Sequence, residues 1–258
     1  NMVYRVGFEV VTESYEADYF FESYQRQYGK TYLEDFAAIK EIGRRRLDII
    51  ETISRKRELR SSSGASLLDV GCAYGPFISA AEERGYRPFG IDVSAPAVGY
   101  VQNKLGLAAL RSDVSEFEPE SHGIGPFDIV TLWYVIEHFN NLGDLLRSIA
   151  RWIKPGGILA FSTPNLDGIS GISNRRRFLV ESPKDHYVIF SFRSARRVLE
   201  RFGFDIVRRR STGHHPERFP LFGRFRALHP LMRLISKIAG LGDTFEVYAL
   251  RRHDKVGR

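Results

Sequence analysis

Residues 67–94 read LLDVGCAYGPFISAAEERGYRPFGIDVS, and this stretch decides the fold. An apolar run is followed by a glycine-containing turn, a helical stretch and a second apolar run that ends near Asp92. This order is typical of parallel sheets, in which the turns after the strands bind ligands. Which ligand the turn holds is therefore the first question that the sequence raises.

The glycine spacing excludes two common phosphate-binding turns. A dinucleotide-binding turn needs GxGxxG at the start of a helix, whereas Ala73 stands midway between Gly71 and Gly75 here. A P-loop ends in Gly-Lys followed by Ser or Thr, but this turn continues as Gly-Pro-Phe. The glycines still predict a sharply bent backbone that a ligand can approach closely.

Two acidic residues frame this turn. Asp69 ends the first apolar run, and Asp92 ends the second, where a carboxylate accepts hydrogen bonds from ribose hydroxyls. Asp69 lies beside the turn and is placed to face a cationic or amino group. A ligand that has a ribose, an amino group and no phosphate is S-adenosylmethionine.

Short apolar runs alternate with helical stretches along most of the chain, which predicts an α/β fold. We expect a Rossmann-like, seven-stranded, mostly parallel sheet with helices on both faces. Seven runs are predicted to be strands: residues 66–70, 87–93, 108–113, 127–133, 158–164, 205–211 and 244–252.

Helices are predicted from apolar spacing and from capping residues. The last helix before residue 205 is expected to start at Ser191 or Ser194 and to stop at Gly203. The predicted helices cover residues 34–60, 77–84, a stretch that ends near 105, 142–153 closed by KPGG, 191–202 and 230–239.

The chain is expected to divide into two parts. Residues 1–63 are predicted to form a helical cap or lid, and residues 64–258 the main domain, with an insert at 211–243 before the last strand. Seven aromatic residues favour either a lid over the site or a helix that packs by its rings. They are Tyr15, Tyr19, Phe20, Phe21, Tyr24, Tyr28 and Tyr32.

Composition narrows the class of protein. A hydrophobic content of 43% and a charged content of 27% describe an ordinary globular protein. No apolar run is long enough to span a membrane, and one cysteine cannot form an internal disulfide or a thiolate metal cluster. A cytoplasmic location is expected. The net charge of +7 favours anionic partners without identifying one.

Residues from about 66 to 207 resemble a class I S-adenosylmethionine-dependent methyltransferase. They are most similar to the branch that acts on small molecules and includes the ubiquinone-type O-methyltransferases. The motifs that carry the resemblance are LLDVGCAYG (67–75), PFGIDVS (88–94), SDVSEF (112–117), FDIVTLWYVIEHF (127–139), WIKPGGILAFSTPN (152–165) and DHYVIFSFRSARRVLERFGFDIV (185–207).

The resemblance implies S-adenosylmethionine as cofactor and S-adenosylhomocysteine as product. Asp92 would bind the ribose hydroxyls, and Asp113 the adenine amino group, although Asp113 is also placed to cap a short helix. Ala73 departs from the family, in which a middle glycine is usual. The implied cofactor-binding residues are Asp69, Gly71, Cys72, Ala73, Gly75, Asp92, Val93, Asp113, Val114, Leu132 and Trp133.

Methyl transfer to an oxygen needs a base, for which histidine is suited near neutral pH. The candidates are Glu137 and His138, after the fourth strand, and His186. Each also fits a residue that only orders its loop. No metal ligand set is predicted, and His214 and His215 are expected to lie in a surface loop.

Sequence patterns also limit the substrate. The Asn/Asp-Pro-Pro-Tyr/Phe motif that holds a planar amino nitrogen is missing after the fourth strand, and no cysteine is placed to attack a pyrimidine. We therefore expect a small-molecule, sugar or lipid-linked acceptor, with a hydroxyl as the methylated group. An RNA methyltransferase and a silent, regulatory S-adenosylmethionine-binding subunit are the alternatives.

The partner expectations follow from charge. Nucleic acid is not expected as a partner, because the basic residues are scattered. The basic insert is suited to peripheral contact with an anionic membrane or a phosphorylated carrier, and equally fits a dimer contact or a solvated helix. The protein is expected to be a monomer or a homodimer.

Overall fold

A computed structural model of the protein describes residues 2–4, 24–25, 29–57 and 63–253. The chain forms two compact units. The first, called the N-terminal unit below, contains Thr12–Leu132, Arg147–Leu159 and Arg251–Arg258. The second, called the C-terminal unit, contains Asn1–Val11, Trp133–Leu146 and Ala160–Leu250.

Strands and helices alternate through the chain, as the sequence predicts. The strands among the described residues are β1 (Met2–Tyr4), β2 (Ser66–Val70), β3 (Arg87–Asp92), β4 (Ala109–Arg111), β5 (Phe127–Trp133), β6 (Ile153–Pro164), β7 (Val188–Phe190), β8 (Phe204–Thr212) and β9 (Thr244–Arg251). The α-helices there are α1 (Phe36–Lys56), α2 (Pro76–Glu82), α3 (Ala95–Tyr100), α4 (Leu142–Trp152), α5 (Ile169–Ser173), α6 (Arg175–Glu181), α7 (Phe192–Arg201) and α8 (His229–Ala239).

Seven strands form one mostly parallel sheet in the order β4–β3–β2–β5–β6–β9–β8. The strand β2 pairs in parallel with β3 on one side and with β5 on the other, and β4 pairs in parallel with β3. The predicted Rossmann-like sheet is therefore confirmed. Because the chain leaves β2 toward β3 and later returns at β5, the carboxyl end of β2 is a switch point where such sheets bind ligands.

The central strand β2 is buried on both faces. Leu67, Leu68 and Val70 are fully or almost fully buried, which explains why the strand reads as a continuous apolar run. The helix α1 places Leu47 and Ile50 in the same core. Its contact with α2 is extended by an ion pair of 2.6 Å between Lys40 Nζ and a carboxylate oxygen of Glu83, the residue that directly follows α2.

The helix predicted at residues 142–153 ends within one residue of the predicted bound, but the segment KPGG (154–157) that was expected to close it is part of a strand. The helix α4 ends at Trp152, and β6 begins at Ile153 and runs through KPGG. At Gly157 a Cβ would lie 2.8 Å from the backbone oxygen of Asp128 and 2.6 Å from Ile153 Cγ2. The glycine therefore permits close backbone contact inside a strand instead of stopping a helix.

The helix predicted to end near residue 105 does so, but only Ala95–Tyr100 is α-helical and Val101–Leu105 form a π-helical turn. The short β1 and β7 form a separate antiparallel pair that the sequence analysis missed, with Met2 opposite Phe190. Three-residue strands are too short to show the alternation by which strands are recognised.

Capping residues set the predicted ends of α7. Ser191 is its N-cap, and the side chains of Ser191 and Ser194 form a reciprocal capping box. Gly203, just beyond the helix, has φ of 85°. Between β8 and β9, the insert contains α8, as expected. Among the helices that the structure describes, none is both long and apolar enough to cross a membrane.

Gly90→Ala is expected to lower the free energy of unfolding by about 1–3 kcal/mol, because the added Cβ overpacks the core. It would lie 2.6 Å from Cys72 Sγ and 2.9 Å from Cys72 Cβ. Denaturant unfolding measures the change. The control is Gly99→Ala, whose Cβ would meet no atom closer than 3.9 Å. Equal effects of the two variants would contradict the packing argument.

Candidate active site

The turn between β2 and α2 is bent by residues with positive φ. Gly71 and Gly75 have φ of 70° and 81°, and Ala73 between them has φ of 48°. A side chain disfavours this left-handed conformation, so Ala73 is held there at a cost that glycine would avoid. A Cβ at Gly75 would also lie 2.8 Å from Val101 Cγ2. The turn therefore has the sharp bend that its glycines predict.

Asp92 connects this turn to the end of β3. Its Oδ2 accepts a hydrogen bond of 2.8 Å from the backbone N–H of Ala73, and its Oδ1 accepts one of 2.9 Å from that of Ser94. Burial raises the pKa of Asp92, and the backbone hydrogen bonds oppose that rise. Each carboxylate oxygen has a further lone pair, so Asp92 keeps the capacity to bind ligand hydroxyls.

Asp69 is buried on the other side of the turn. Thr131 Oγ1 on β5 donates a hydrogen bond of 2.6 Å to Asp69 Oδ1. Burial raises the pKa of Asp69 to about 7, while the hydrogen bond from Thr131 and the charge of Arg46 oppose the rise and the charge of Asp92 adds to it. Two carboxyl groups beside one turn disfavour an anionic ligand and favour a cationic one.

Aromatic rings pack against the turn. The ring centroid of Tyr74 lies 6.0 Å from that of Tyr32 and 5.3 Å from that of Tyr100. Tyr32 in turn packs edge to face with Tyr24 at 5.1 Å. Ring packing thus holds Tyr24 and Tyr32 beside the turn, and both expectations for the aromatic segment, a lid and a packed helix, stay predictions. The other predicted members, Tyr15, Tyr19, Phe20, Phe21 and Tyr28, lie outside the described residues.

Asp113 lies at the same sheet edge as Asp92. The backbone N–H of Ser112 donates to the backbone oxygen of Asp92 at 3.1 Å. The exposed carboxylate of Asp113 accepts hydrogen bonds from the backbone N–H and the hydroxyl of Ser115, at 2.7 and 2.5 Å. Asp113 therefore caps a turn, where the alternative expectation was a short helix, and its contact with adenine stays a prediction, as does that of the half-buried Val114.

The remaining predicted cofactor residues differ in exposure. Val93 is exposed, whereas Leu132 is fully buried and packs in the core. Trp133 ends β5 and belongs to the C-terminal unit, where its ring centroid lies 6.3 Å from that of Tyr248. A contact of any of these three with a ligand stays a prediction.

Cys72 is buried behind the turn, against Gly90. Burial raises the pKa of the thiol well above its usual range, and the charge of Asp92 adds to this rise. A thiol of this kind is a poor nucleophile, because the thiolate is the reactive form. Its surroundings therefore support the interpretation of Cys72 as a small packing residue within the loop.

A second cluster of titratable side chains lies within the C-terminal unit. Two of its members, Glu137 and His138, are on a short 3₁₀ turn at Ile136–His138. His138 Nδ1 lies 2.9 Å from Asp185 Oδ2. The rings of His138 and His186 meet edge to face with centroids 4.8 Å apart. The backbone N–H of Tyr187 donates to the backbone oxygen of Glu137 at 2.8 Å. The structure thus brings together all three predicted base candidates and also orders their loop.

The carboxyl group of Glu137 is buried, and neither of its oxygens makes a hydrogen bond of ordinary geometry with the described residues. Burial raises the pKa of Glu137 to about 7, against the opposing charge of His138. Burial lowers the pKa of His138, but the hydrogen bond with Asp185 and the charge of Glu137 outweigh it, so the net shift is upward. The cluster can therefore hold and exchange a proton near neutral pH.

The side chains of the same cluster are close enough to one another to bind one metal ion. Glu137, His138 and His186 each offer a ligand atom, and these atoms lie within 4.8 Å of one another. The expectation that the protein has no metal site can therefore be tested at these three residues. His214 and His215 make other contacts: His214 Nδ1 lies 2.7 Å from Ser236 Oγ, and His215 Nδ1 lies 2.9 Å from Glu217.

Two residues of these clusters were missed in the sequence analysis. Thr131 stands inside the apolar run of β5, and nothing in the sequence indicates that its hydroxyl meets Asp69. Asp185 directly precedes His186, so it was available as an acidic neighbour of a candidate base. The pairing of Asp185 with His138 arises from tertiary contact, and no residue spacing in the sequence indicates it.

The model of a family described as a methyltransferase domain matches residues 40–209, and the chain belongs to this family. The resemblance that its motifs indicated is thereby confirmed.

Curated relatives share part of this region. The ubiquinone biosynthesis O-methyltransferase of Azoarcus sp. (strain BH72) is 32% identical over 134 residues, which cover 51% of this chain and 55% of that protein. The protein of the same name from Caulobacter vibrioides is 33% identical over 107 residues, covering 40% and 42%. The chain thus spans about half the length of the curated relatives that it matches.

Solved structures share the fold at low sequence identity. Magnesium protoporphyrin IX methyltransferase from Synechocystis PCC 6803, with bound S-adenosylhomocysteine, has a TM-score of 0.59 at 16% identity and covers 91% of this chain and 97% of that one. An S-adenosylmethionine-dependent methyltransferase from Mesorhizobium loti has a TM-score of 0.53 at 18% identity, covering 78% and 96%.

Glu137→Gln is expected to stabilise the protein at mildly alkaline pH and to change its stability little in acid. The pKa of Glu137 in the folded state is raised to about 7, so stability is lost as pH rises from about 4.5 through about 7. The amide removes this loss, worth roughly 3 kcal/mol at the alkaline end. Unfolding by denaturant at several pH values measures it.

The matched control is Glu116→Gln, because the side chain of Glu116 is exposed. Its unfolding free energy should follow that of the parent protein across the pH range. A change in Glu137→Gln that is the same in acid and in alkali would contradict the buried-charge explanation.

Proposed function

We propose that the chain binds S-adenosylmethionine at the 69–75 turn and transfers its methyl group to a hydroxyl of a small-molecule acceptor. The observation that carries the proposal is the pair of buried acids, Asp69 and Asp92, beside a bent turn at the switch point of the sheet. Membership of the methyltransferase domain family supports it.

The residues around the turn fit this cofactor better than a nucleotide phosphate. Asp92 has lone pairs for two ribose hydroxyls beyond the backbone hydrogen bonds that it already accepts. Asp69, whose pKa is raised to about 7 by burial, gains from a positive charge nearby, which the amino group or the sulfonium provides. The same two carboxyl groups would repel a phosphate.

When bound, S-adenosylmethionine supplies a methyl carbon that its positive sulfur already activates. The residues of the chain have to orient the two reactants and remove a proton. The chain would hold the acceptor hydroxyl in line with that methyl carbon and supply the base that takes the hydroxyl proton.

We assign the base to His138 and a positioning role to Asp185. Asp185 lies at 2.9 Å from His138 Nδ1, which favours the tautomer that carries the N–H there and the basic lone pair on Nε2. Asp185 and Glu137 also raise the pKa of His138 and so make it a stronger base. His186 stays the alternative, because its ring contacts that of His138.

The names of the curated relatives support the choice of acceptor. The curated relatives are named as O-methyltransferases, which favours an oxygen acceptor. Incubation with methyl-labelled S-adenosylmethionine and a cell extract, followed by separation of RNA, lipid and small-molecule fractions, tests this choice. Label in the small-molecule or lipid fraction is expected, and label in RNA would contradict it.

Asp92→Ala is expected to weaken S-adenosylmethionine binding at least about tenfold, because two charge-assisted hydrogen bonds to the ribose are lost. Calorimetric titration of the folded variant gives the affinity. Asp48→Ala, at an exposed aspartate of α1, is the control and should bind like the parent protein. Unchanged affinity in Asp92→Ala would overturn the assignment of the site.

Asp185→Asn is expected to lower kcat by roughly ten- to a hundredfold, because the base becomes weaker and less well oriented. The acidic limb of the pH–rate profile should also move to lower pH, since Asp185 raises the pKa of His138. Asp167→Asn, at an exposed aspartate of the same unit, is the control. A loss of rate with an unmoved profile would leave Asp185 only a structural role.

Dialysis against a chelator distinguishes between two roles of this cluster, as a base and as a metal site. A proton-accepting role for His138 predicts that activity survives the treatment. Loss of activity that added divalent metal restores would instead make Glu137, His138 and His186 ligands, and the expectation of no metal would then be wrong.

A further inference from the structure

Exposed apolar side chains concentrate in one part of the insert, residues 219–242, called the loop–helix segment below. Of the twelve large apolar side chains that stand out as exposed among the described residues, seven lie there, with exposed fractions from 39% to 79%. They are Leu221, Phe222, Phe225, Leu231, Leu234, Ile235 and Ile238. Such a concentration marks an interaction surface, whereas single exposed apolar residues need no explanation.

The helix α8 presents its apolar stripe away from the protein. Leu231, Leu234, Ile235 and Ile238 follow the i, i+3, i+4, i+7 spacing of one helix face, and all four are exposed. The residues of α8 that are buried are Met232 and Ser236, which lie on another face. In an ordinary surface helix the apolar stripe would face the core.

Internal contacts hold the loop–helix segment in this orientation. Ser236 Oγ lies 2.7 Å from His214 Nδ1, which fixes the inner face of α8. His229 Nε2 lies 2.8 Å from the backbone oxygen of Gly223, which joins the loop to the start of the helix. The exposed stripe is therefore a property of the folded unit.

Positive charge accompanies the apolar residues. Arg224, Arg226, Arg233 and Lys237 lie in the segment, and no Asp or Glu occurs between Glu217 and Asp243. All four basic residues are exposed. On α8, Arg233 and Lys237 are four positions apart and flank the apolar stripe on the side away from Met232.

We propose that the loop–helix segment docks on the surface of an anionic lipid bilayer. The apolar residues of the loop and of α8 would insert at the level of the headgroups, and the arginines and the lysine would bind the lipid phosphates. This surface lies wholly within the C-terminal unit and is independent of the proposed methyl transfer.

Charge favours a bilayer over a second copy of the chain. Two copies meeting through this surface would bring four positive charges on each side together with no acidic residue between them, which opposes association. A bilayer, in contrast, supplies both the apolar phase and the negative charge. It also accepts apolar side chains without a matched shape.

Sedimentation with vesicles tests the proposal. The protein should bind vesicles of phosphatidylcholine mixed with phosphatidylglycerol and bind pure phosphatidylcholine vesicles at least about tenfold more weakly. Binding should also weaken as salt is added. No binding to the mixed vesicles would overturn the proposal.

Two double variants separate the apolar and the charged contributions. Leu234→Glu with Ile238→Glu, and Arg233→Glu with Lys237→Glu, should each reduce binding roughly tenfold or more. The matched controls are Ile42→Glu and Lys104→Glu, at an exposed isoleucine and an exposed lysine of the N-terminal unit. Controls that lose as much binding as the double variants would contradict a local docking surface.

A dimer formed through the loop–helix segment would give a different result. If the protein is a dimer in sedimentation velocity and only Leu234→Glu with Ile238→Glu makes it monomeric, without vesicle binding by the parent, the surface belongs to a dimer and the proposal fails. Calorimetry with S-adenosylmethionine on the same variants should give the affinity of the parent protein. That measurement keeps a failure of docking apart from a failure of the proposed function.

Discussion

The hydrogen bond from the backbone N–H of Ala73 to Asp92 is the contact on which the turn depends. It joins the segment that follows β2 to the end of β3, so the turn cannot open without removing one of the hydrogen-bond donors of the buried Asp92 carboxylate. Asp69, held by Thr131 from β5, fixes the other side. Three adjacent parallel strands thus set the position of a few backbone atoms, and the strained φ of Ala73 is maintained by that framework.

Sequence patterns predict the sheet well because each central strand is buried on both faces and shows a continuous apolar run. The bounds of β2 and β5 agree with prediction for this reason. The pattern fails where a strand is very short or where a glycine is compatible with two different structures. KPGG is compatible with a helix stop and with close strand packing, and only the position of Asp128 decides between them. The three residues of β7 offer no alternation to detect.

For the candidate site, the sequence places residues on loops but does not pair them. Asp69 and Asp92 are found because they lie near the ends of β2 and β3, and Glu137 and His138 because they follow β5 along the chain. Whether a carboxyl group there is charged depends on burial and on partners that are distant in sequence, such as Thr131 for Asp69 and Asp185 for His138. Composition alone would have treated these acids as ordinary anions, whereas burial raises the pKa of Asp69 and of Glu137 to about 7.

The burial of Cys72 has a practical consequence. It is the one cysteine of the sequence, its thiol is buried behind the turn against Gly90, and burial raises its pKa. A thiol-modifying reagent can reach it only when the turn moves away from β3, so the rate of alkylation reports the opening of that turn directly. The native chain therefore carries its own single-site probe of local unfolding, and the extent to which a bound ligand slows alkylation gives the free energy by which that ligand closes the turn.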